Sequence, residues 1–302
     1  MKPRPYPFIS PIVWTALITP LTQVRQLDIE SLVSLLKEQE KYKNGIILFG
    51  STGEGLNLSL EEKKQILETV FSLNLKVPIL AGLSGHDFVS LKSWVELLET
   101  YPLQGYLAVT PYYSKPGRWG QYEWFSSLFN ITKRPIMLYN VPGRTGASLS
   151  LEAVKDLKKF CPHLWAIKES SGNPEYFSSF LNDLNDKSVS FFCGDDALID
   201  KFSLLGAVGL ISVASNVWPE YTQHYVKKCL DKTVRSEEIT LWKEACDSLF
   251  LASNPIPVKC LLKSLGKIQS PKLKLPLDHR DLGDHLCTLL SFHEKISKKL
   301  SL

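Results

Sequence analysis

The chain has 302 residues, of which 44% are hydrophobic and 22% charged. That composition excludes a disordered segment, a collagen-like repeat and a disulfide-stapled miniprotein, and it supplies apolar material for one large core. A net charge of +4, from 35 basic and 31 acidic residues, is too weak and too mixed for a nucleic-acid-binding surface.

The start, MKPRPYPFIS, places three prolines before any apolar run develops. It cannot form the apolar stretch of a secretory signal, which points to a cytoplasmic protein. Residues 12–18 then form the first β-rich run. Residues 29–41 follow with Ile29, Leu32, Val33 and Leu36 at helical spacing, and 45–49 make the second run. A second helix is expected over 61–73, where Ile66, Leu67, Val70 and Phe71 share one face. Further apolar runs stand at 77–81, 105–109, 135–138, 164–167, 189–193 and 208–213. Eight runs, apolar on both faces and separated by amphipathic helices, describe parallel strands covered by helices; their number implies closure into a (β/α)8 barrel, an α/β fold. An open doubly wound sheet is the competing arrangement.

Strand signals stop near residue 218. Helices are expected over 221–230, 235–252, 258–266 and 284–299, so the chain divides into a barrel, 1–218, and a C-terminal helical appendage, 219–302. No run reaches the roughly 20 residues that span a bilayer, so no membrane role is expected. The six cysteines are widely spaced without a C-x-x-C pair, which predicts buried reduced thiols.

Active sites of such barrels lie beyond the C-terminal ends of the strands. Lys168 ends the apolar run of strand six, where it would point into the barrel mouth. A lysine sheltered from water can shed its proton and attack a carbonyl; the alternative is an ion pair with Glu169 or Asp195. The loop Gly50-Ser51-Thr52-Gly53-Glu54-Gly55 comes after strand two, and its amides and hydroxyls suit a carboxylate, although a glycine-rich loop can also simply turn a corner. Tyr139 and Tyr113 stand at the ends of strands five and four and could move protons if a hydroxyl such as Ser51 aligns them, or could be partly buried aromatics. Arg144 offers a fork for a carboxylate, unless it is merely solvated. The six histidines show no metal-binding spacing, and Asp195-Asp196 reads better as a helix cap than as a magnesium site.

G-S-T-G-E at 50–54, T-P-Y-Y at 110–113, Y-N-V-P-G-R-T-G at 139–146, I-K-E-S-S-G at 167–172, G-D-D at 194–196 and N-P-I-P-V-K at 254–259 together resemble the dihydrodipicolinate synthase family, within the N-acetylneuraminate lyase superfamily. The resemblance runs in order over nearly the whole chain. It implies an enzyme that condenses pyruvate with L-aspartate 4-semialdehyde on the route to diaminopimelate and lysine, through a Schiff base on Lys168 and without a cofactor. By motif, Tyr139 shuttles protons while Ser51 and Tyr113 complete a relay to solvent. Thr52 binds the pyruvate carboxylate, Gly194 joins the substrate-binding residues, Ile211 gives a backbone contact at strand eight, and Arg144 anchors the aldehyde substrate's carboxylate. The resemblance also implies a homodimer or dimer of dimers in which Tyr113 serves the neighbouring copy.

Two departures stand out. Ser51 replaces the usual threonine, keeping the hydroxyl but losing the methyl that restricts its rotamer. The family's lysine-feedback pocket maps to Gly55, Leu56, Leu60, Lys63, His86, Ser90 and Tyr112, with no anion left among them, so feedback by lysine is expected to be weak or absent. Two other readings remain open at this point: an aldolase acting on N-acetylneuraminate or a 2-keto-3-deoxy sugar acid, and a non-catalytic paralogue that senses pyruvate. Arg144 speaks against the first, and retention of Lys168, Tyr139, Tyr113 and Ser51 together against the second.

Overall fold

The computed structural model describes residues 10–300. The proline-rich start, read above as excluding a secretory signal, lies outside the described residues except for Ser10. Eight short strands carry the architecture: β1 (Val13–Ala16), β2 (Gly45–Leu48), β3 (Ile79–Leu83), β4 (Gly105–Val109), β5 (Ile136–Asn140), β6 (Leu164–Glu169), β7 (Ser190–Cys193) and β8 (Gly209–Ser212). Each pairs in parallel with the next, and β1 pairs with β8. The closed barrel predicted from the eight runs is therefore the observed fold, and the β1–β8 ladder excludes an open sheet.

The barrel forms because its strands are apolar on both faces. One face packs inward, where Trp14, Ile47, Leu80, Leu107, Met137, Trp165, Phe192 and Ile211 make an apolar plug. The other face packs against the surrounding helices, in a second cluster that runs from Val13 to Ile296. Helix starts are set locally. Asp28 accepts from Ser31 N at the head of Ile29–Lys41, and Ser59 with Glu62 forms a capping box ahead of Leu60–Ser72, a device worth about 1 kcal/mol.

Helix Pro219–Leu230 lies against β1, β8 and helix Ile199–Leu205, on the outside of the barrel. Helices Ser236–Ser248, Ile256–Ser264 and Leu286–Leu300 come next, and Trp242 stacks on Tyr221 and Tyr225. The Trp242 indole donates to the Asp196 carbonyl at 2.7 Å, tying this region to the loop after β7. Asp196 is itself buried, and its carboxylate accepts from Ser212 Oγ and the Val213 amide; burial pushes its carboxyl up to about 6. Asp195 accepts from Ala197 N at the start of a 3-10 turn, as the helix-cap reading expects, whereas Asp196 braces the end of β8. The thiols correct one expectation: five are buried, but Cys287 is exposed because it sits on the outer face of the last helix. No helix among the described residues is long and apolar enough to cross a membrane.

Candidate active site

β6 alternates its side chains across the sheet, so Lys168 and Glu169 point to opposite faces. Glu169 turns away from the barrel axis, where its carboxylate accepts from Asn140 Nδ2 at 2.7 Å and from the Ser171 amide at 2.5 Å, and burial raises its carboxyl above the usual range. Lys168 turns inward. It is 6% exposed, and the ion pairs among the described residues do not include it. The β5–β6 register places Tyr139 directly beside it, with the amine 4.1 Å from the centre of the phenol ring. The alternative of an ion pair with Glu169 or Asp195 is thus set aside.

The amine opens into a cavity at the C-terminal mouth, lined by Ser51, Thr52, Tyr139, Arg144, Thr145 and Lys168 and walled by Leu56, Leu107, Val109 and Tyr112. Five of the sequence-expected residues therefore meet at one site. The amides of Ser51 and Thr52 donate to no group among the described residues, which leaves both N–H groups for an anion. Arg144 stands exposed in the short helix Pro142–Thr145, whose end is turned by Gly146 in the left-handed region.

Gly194 contributes by lacking a side chain. A Cβ there would stand 1.9 Å from Ser170 Oγ and 2.7 Å from Lys168 Cε, so the lysine stem occupies the space a larger residue would need. Both atoms can swing away, so Gly194→Ala should fold but move the amine. We expect a fall in kcat of about a hundredfold, as a displacement near 1 Å typically causes; a wild-type kcat in steady-state assays would refute this.

Two expected residues lie elsewhere. Ile211 buries its side chain in the barrel plug beneath the site, so only its backbone could reach a ligand. Tyr113 is 89% exposed, adopts a φ of 69° and is absent from the cavity wall, where Tyr112 stands instead. The relay of three hydroxyls is thus not assembled within one chain.

Two residues had no role assigned from sequence, although they stand at the two ends of the N-P-I-P-V-K motif at 254–259. Asn254 donates through Nδ2 to Thr52 Oγ1 at 2.8 Å, and Lys259 Nζ lies 2.7 Å from Glu54 Oε1, with side chains 0% and 2% exposed. Glu54 also accepts from the Lys274 amide. The C-terminal region thereby pins the 50–55 loop from behind. A signal was available: Lys259 is the one charge in the apolar stretch 256–262, and a charge in such a place needs a partner.

A second cavity adjoins the first through Phe49, Leu56, Gly82, Ser84 and Tyr112, and it contains Lys63, His86 and Ser90. Leu60 is not part of its wall. The expectation that no anion remains there needs correction, since Asp87 lines it. That carboxylate is occupied, however: it caps helix Phe88–Leu98, accepting from the Val89 and Ser90 amides and from Ser90 Oγ, and these bonds hold its carboxyl below the usual range. Lys63 Nζ stands 5.0 Å over the Trp94 ring, its pKa lowered by burial.

A family model described as the dihydrodipicolinate synthetase family matches residues 11–284. A 4-hydroxy-tetrahydrodipicolinate synthase of Wolbachia pipientis wMel is 41% identical over 90% of this chain and 92% of its own length. Among solved structures, the 4-hydroxy-tetrahydrodipicolinate synthase of Methylacidiphilum fumariolicum SolV superposes with a TM-score of 0.88 at 30% identity, covering 97% of this chain and 99% of that one. A monomeric dihydrodipicolinate synthase variant superposes with a TM-score of 0.86 at 27% identity, covering 94% and 97%.

Proposed function

The chain belongs to the dihydrodipicolinate synthetase family, and on that premise we propose that its barrel mouth condenses pyruvate with L-aspartate 4-semialdehyde to 4-hydroxy-tetrahydrodipicolinate, by way of an imine on Lys168. The observation that carries this reading is the placement of Lys168: a buried amine at the floor of the cavity, against the Tyr139 ring and without an ion-paired carboxylate among the described residues. The amine attacks the keto carbon of pyruvate and water leaves. Loss of a methyl proton gives an enamine, which adds to the aldehyde; the amino group of the second substrate then displaces Lys168 as the ring closes. Each step moves a proton away from bulk water, which is the work of Tyr139 and Ser51. The free amides of Ser51 and Thr52 support a carboxylate site for pyruvate, with Asn254 holding the Thr52 side chain. No cofactor is needed, because the imine itself is the electron sink. Borohydride added in the presence of pyruvate should leave a permanent mass adduct on the peptide carrying Lys168, and an unmodified digest would overturn the assignment.

Arg144 supplies a fixed cation for the second substrate's carboxylate. Arg144→Ala should raise KM for the aldehyde by about ten- to a hundredfold, the usual worth of a charge-assisted hydrogen bond, and leave KM for pyruvate unchanged. An effect confined to pyruvate would reassign the residue.

The working assembly is a homodimer or dimer of dimers, in which Tyr113 of one copy completes the relay of the other. Its exposure and left-handed backbone support that reading, because an exposed aromatic held in a strained conformation gains nothing in a lone chain. Mixing inactive Lys168→Ala with inactive Tyr113→Phe and refolding together should restore part of the activity; no recovery in verified hybrids would exclude the exchange. Lysine should inhibit only weakly, since the second cavity offers the cation of Lys63 and an Asp87 already bonded to its own helix. A sub-millimolar inhibition constant would contradict this.

A further inference from the structure

Ser170 comes directly after β6 and shares its parity with Lys168, so its side chain projects to the same inward face. Its amide is fixed by a 2.9 Å bond to the Asn140 carbonyl. Its hydroxyl is buried, yet has no hydrogen-bond partner among the described residues. The oxygen stands 1.9 Å from the point where a Gly194 Cβ would lie; Lys168 Cε is 2.7 Å and Cγ 3.0 Å from that same point, so the hydroxyl and the lysine stem share the space over Gly194. A buried hydroxyl without a partner is unfavourable for folding, and an alanine would fit the same backbone without that cost.

We propose that Ser170 is a positioning residue for the Schiff-base nitrogen, its oxygen accepting the single N–H of the protonated imine; this rests on the imine chemistry assigned above to Lys168. The chemistry creates the need. A protonated amine and a ketone give a protonated imine and water, so a nitrogen with three donors becomes one with a single N–H in the plane of the double bond. The face of Tyr139 suits a cation above it, but a ring face is a poor acceptor for a directed N–H. The serine oxygen, in the space over Gly194 that it shares with Cε, supplies an acceptor.

The charged and titratable groups facing the nitrogen are few. Tyr139 approaches from β5, Arg144 lines the cavity beyond it, and Asp195 lies in the loop after β7, its carboxylate accepting from the Ala197 amide. Glu169, on the same strand, is turned away toward Asn140. No carboxylate among the described residues forms an ion pair with Lys168, and Ser170 offers a neutral acceptor near the stem.

Ser170→Ala should keep or slightly raise Tm while slowing formation of the pyruvate imine by about ten- to a hundredfold, the range for loss of a hydrogen bond to a charged group. Borohydride trapping followed by mass analysis across pH reads both the rate and the protonation of the imine. The alkaline limit of trapping should move to lower pH by about one unit in the variant, since loss of the acceptor destabilises the protonated form, and Ser170→Thr, which keeps the hydroxyl, should move it back. If the wild-type protein traps no pyruvate, the imine reading itself fails. If the wild type traps and Ser170→Ala traps at the same rate with the same pH limit, the role of Ser170 alone is overturned.

Discussion

Lys168→Ala should lose at least about a thousandfold in condensation rate, equivalent to roughly 4 kcal/mol of transition-state stabilisation, while its barrel stays folded. Both halves arise from the same geometry. The amine sits at the cavity floor beside Tyr139, so removing it removes the amine that would capture the keto carbon. The same amine is buried without an ion-paired carboxylate among the described residues, so its loss leaves no opposite charge stranded in the core, and thermal unfolding should occur within a few degrees of the wild type or above it. Lys168→Arg separates the two functions a lysine could have here. A guanidinium keeps the charge but does not deprotonate, so it should be as inactive as alanine if the amine is a nucleophile. Retention of more than about a hundredth of the activity in either variant would mean that the residue acts through charge or packing and not through a covalent bond.

The barrel was legible because its strands repeat a simple signal, and the mismatches fall where function or proline intervenes. The run expected at 77–81 appears as Ile79–Leu83, since Pro78 has no N–H to give the ladder and Gly82 continues it, packed so closely on Phe49 that a Cβ would meet the Phe49 carbonyl at 2.6 Å. The fifth and sixth strands run on through Tyr139-Asn140 and Lys168-Glu169, polar residues that resemble a loop in sequence. They remain in the ladder because their pairing is the site itself: Tyr139 beside Lys168, and Asn140 bonded to Glu169. Lys168, Tyr139, Ser51, Thr52 and Arg144 stand at or just beyond the C-terminal ends of apolar runs, a position that sequence alone reveals in a barrel. The partners behind them could not be found that way: the lone charge of Lys259 signals that it needs a partner, but Asn254 meets Thr52 and Lys259 meets Glu54 across about two hundred residues of sequence, and local pattern does not say which residue answers.

That hidden support makes Lys259→Met the substitution with the largest expected effect on stability. The Glu54–Lys259 pair is almost completely excluded from water, so solvent does little to screen it, and burial lowers the pKa of Lys259 while Glu54 opposes that fall. Breaking such a pair leaves the remaining carboxylate buried and uncompensated, at a cost of about 3–5 kcal/mol. For a chain of this size that corresponds to a fall in Tm on the order of 10 °C. The stranded charge would be relieved by drawing Glu54 toward solvent, and Glu54 occupies a left-handed backbone position between Gly53 and Gly55, where a Cβ on Gly55 would meet the Phe49 carbonyl at 2.1 Å. The loop has no slack to make that movement alone, so Ser51 and Thr52 should move with it, and KM for pyruvate should rise more than kcat falls. Glu54→Leu combined with Lys259→Met removes both charges and should recover much of the lost stability, because an apolar pair of similar volume stands in place of the ion pair. If the double variant is as unstable as the sum of the two single ones, the pair is not acting as a unit and the loop is held by the Asn254–Thr52 and Lys274–Glu54 bonds instead.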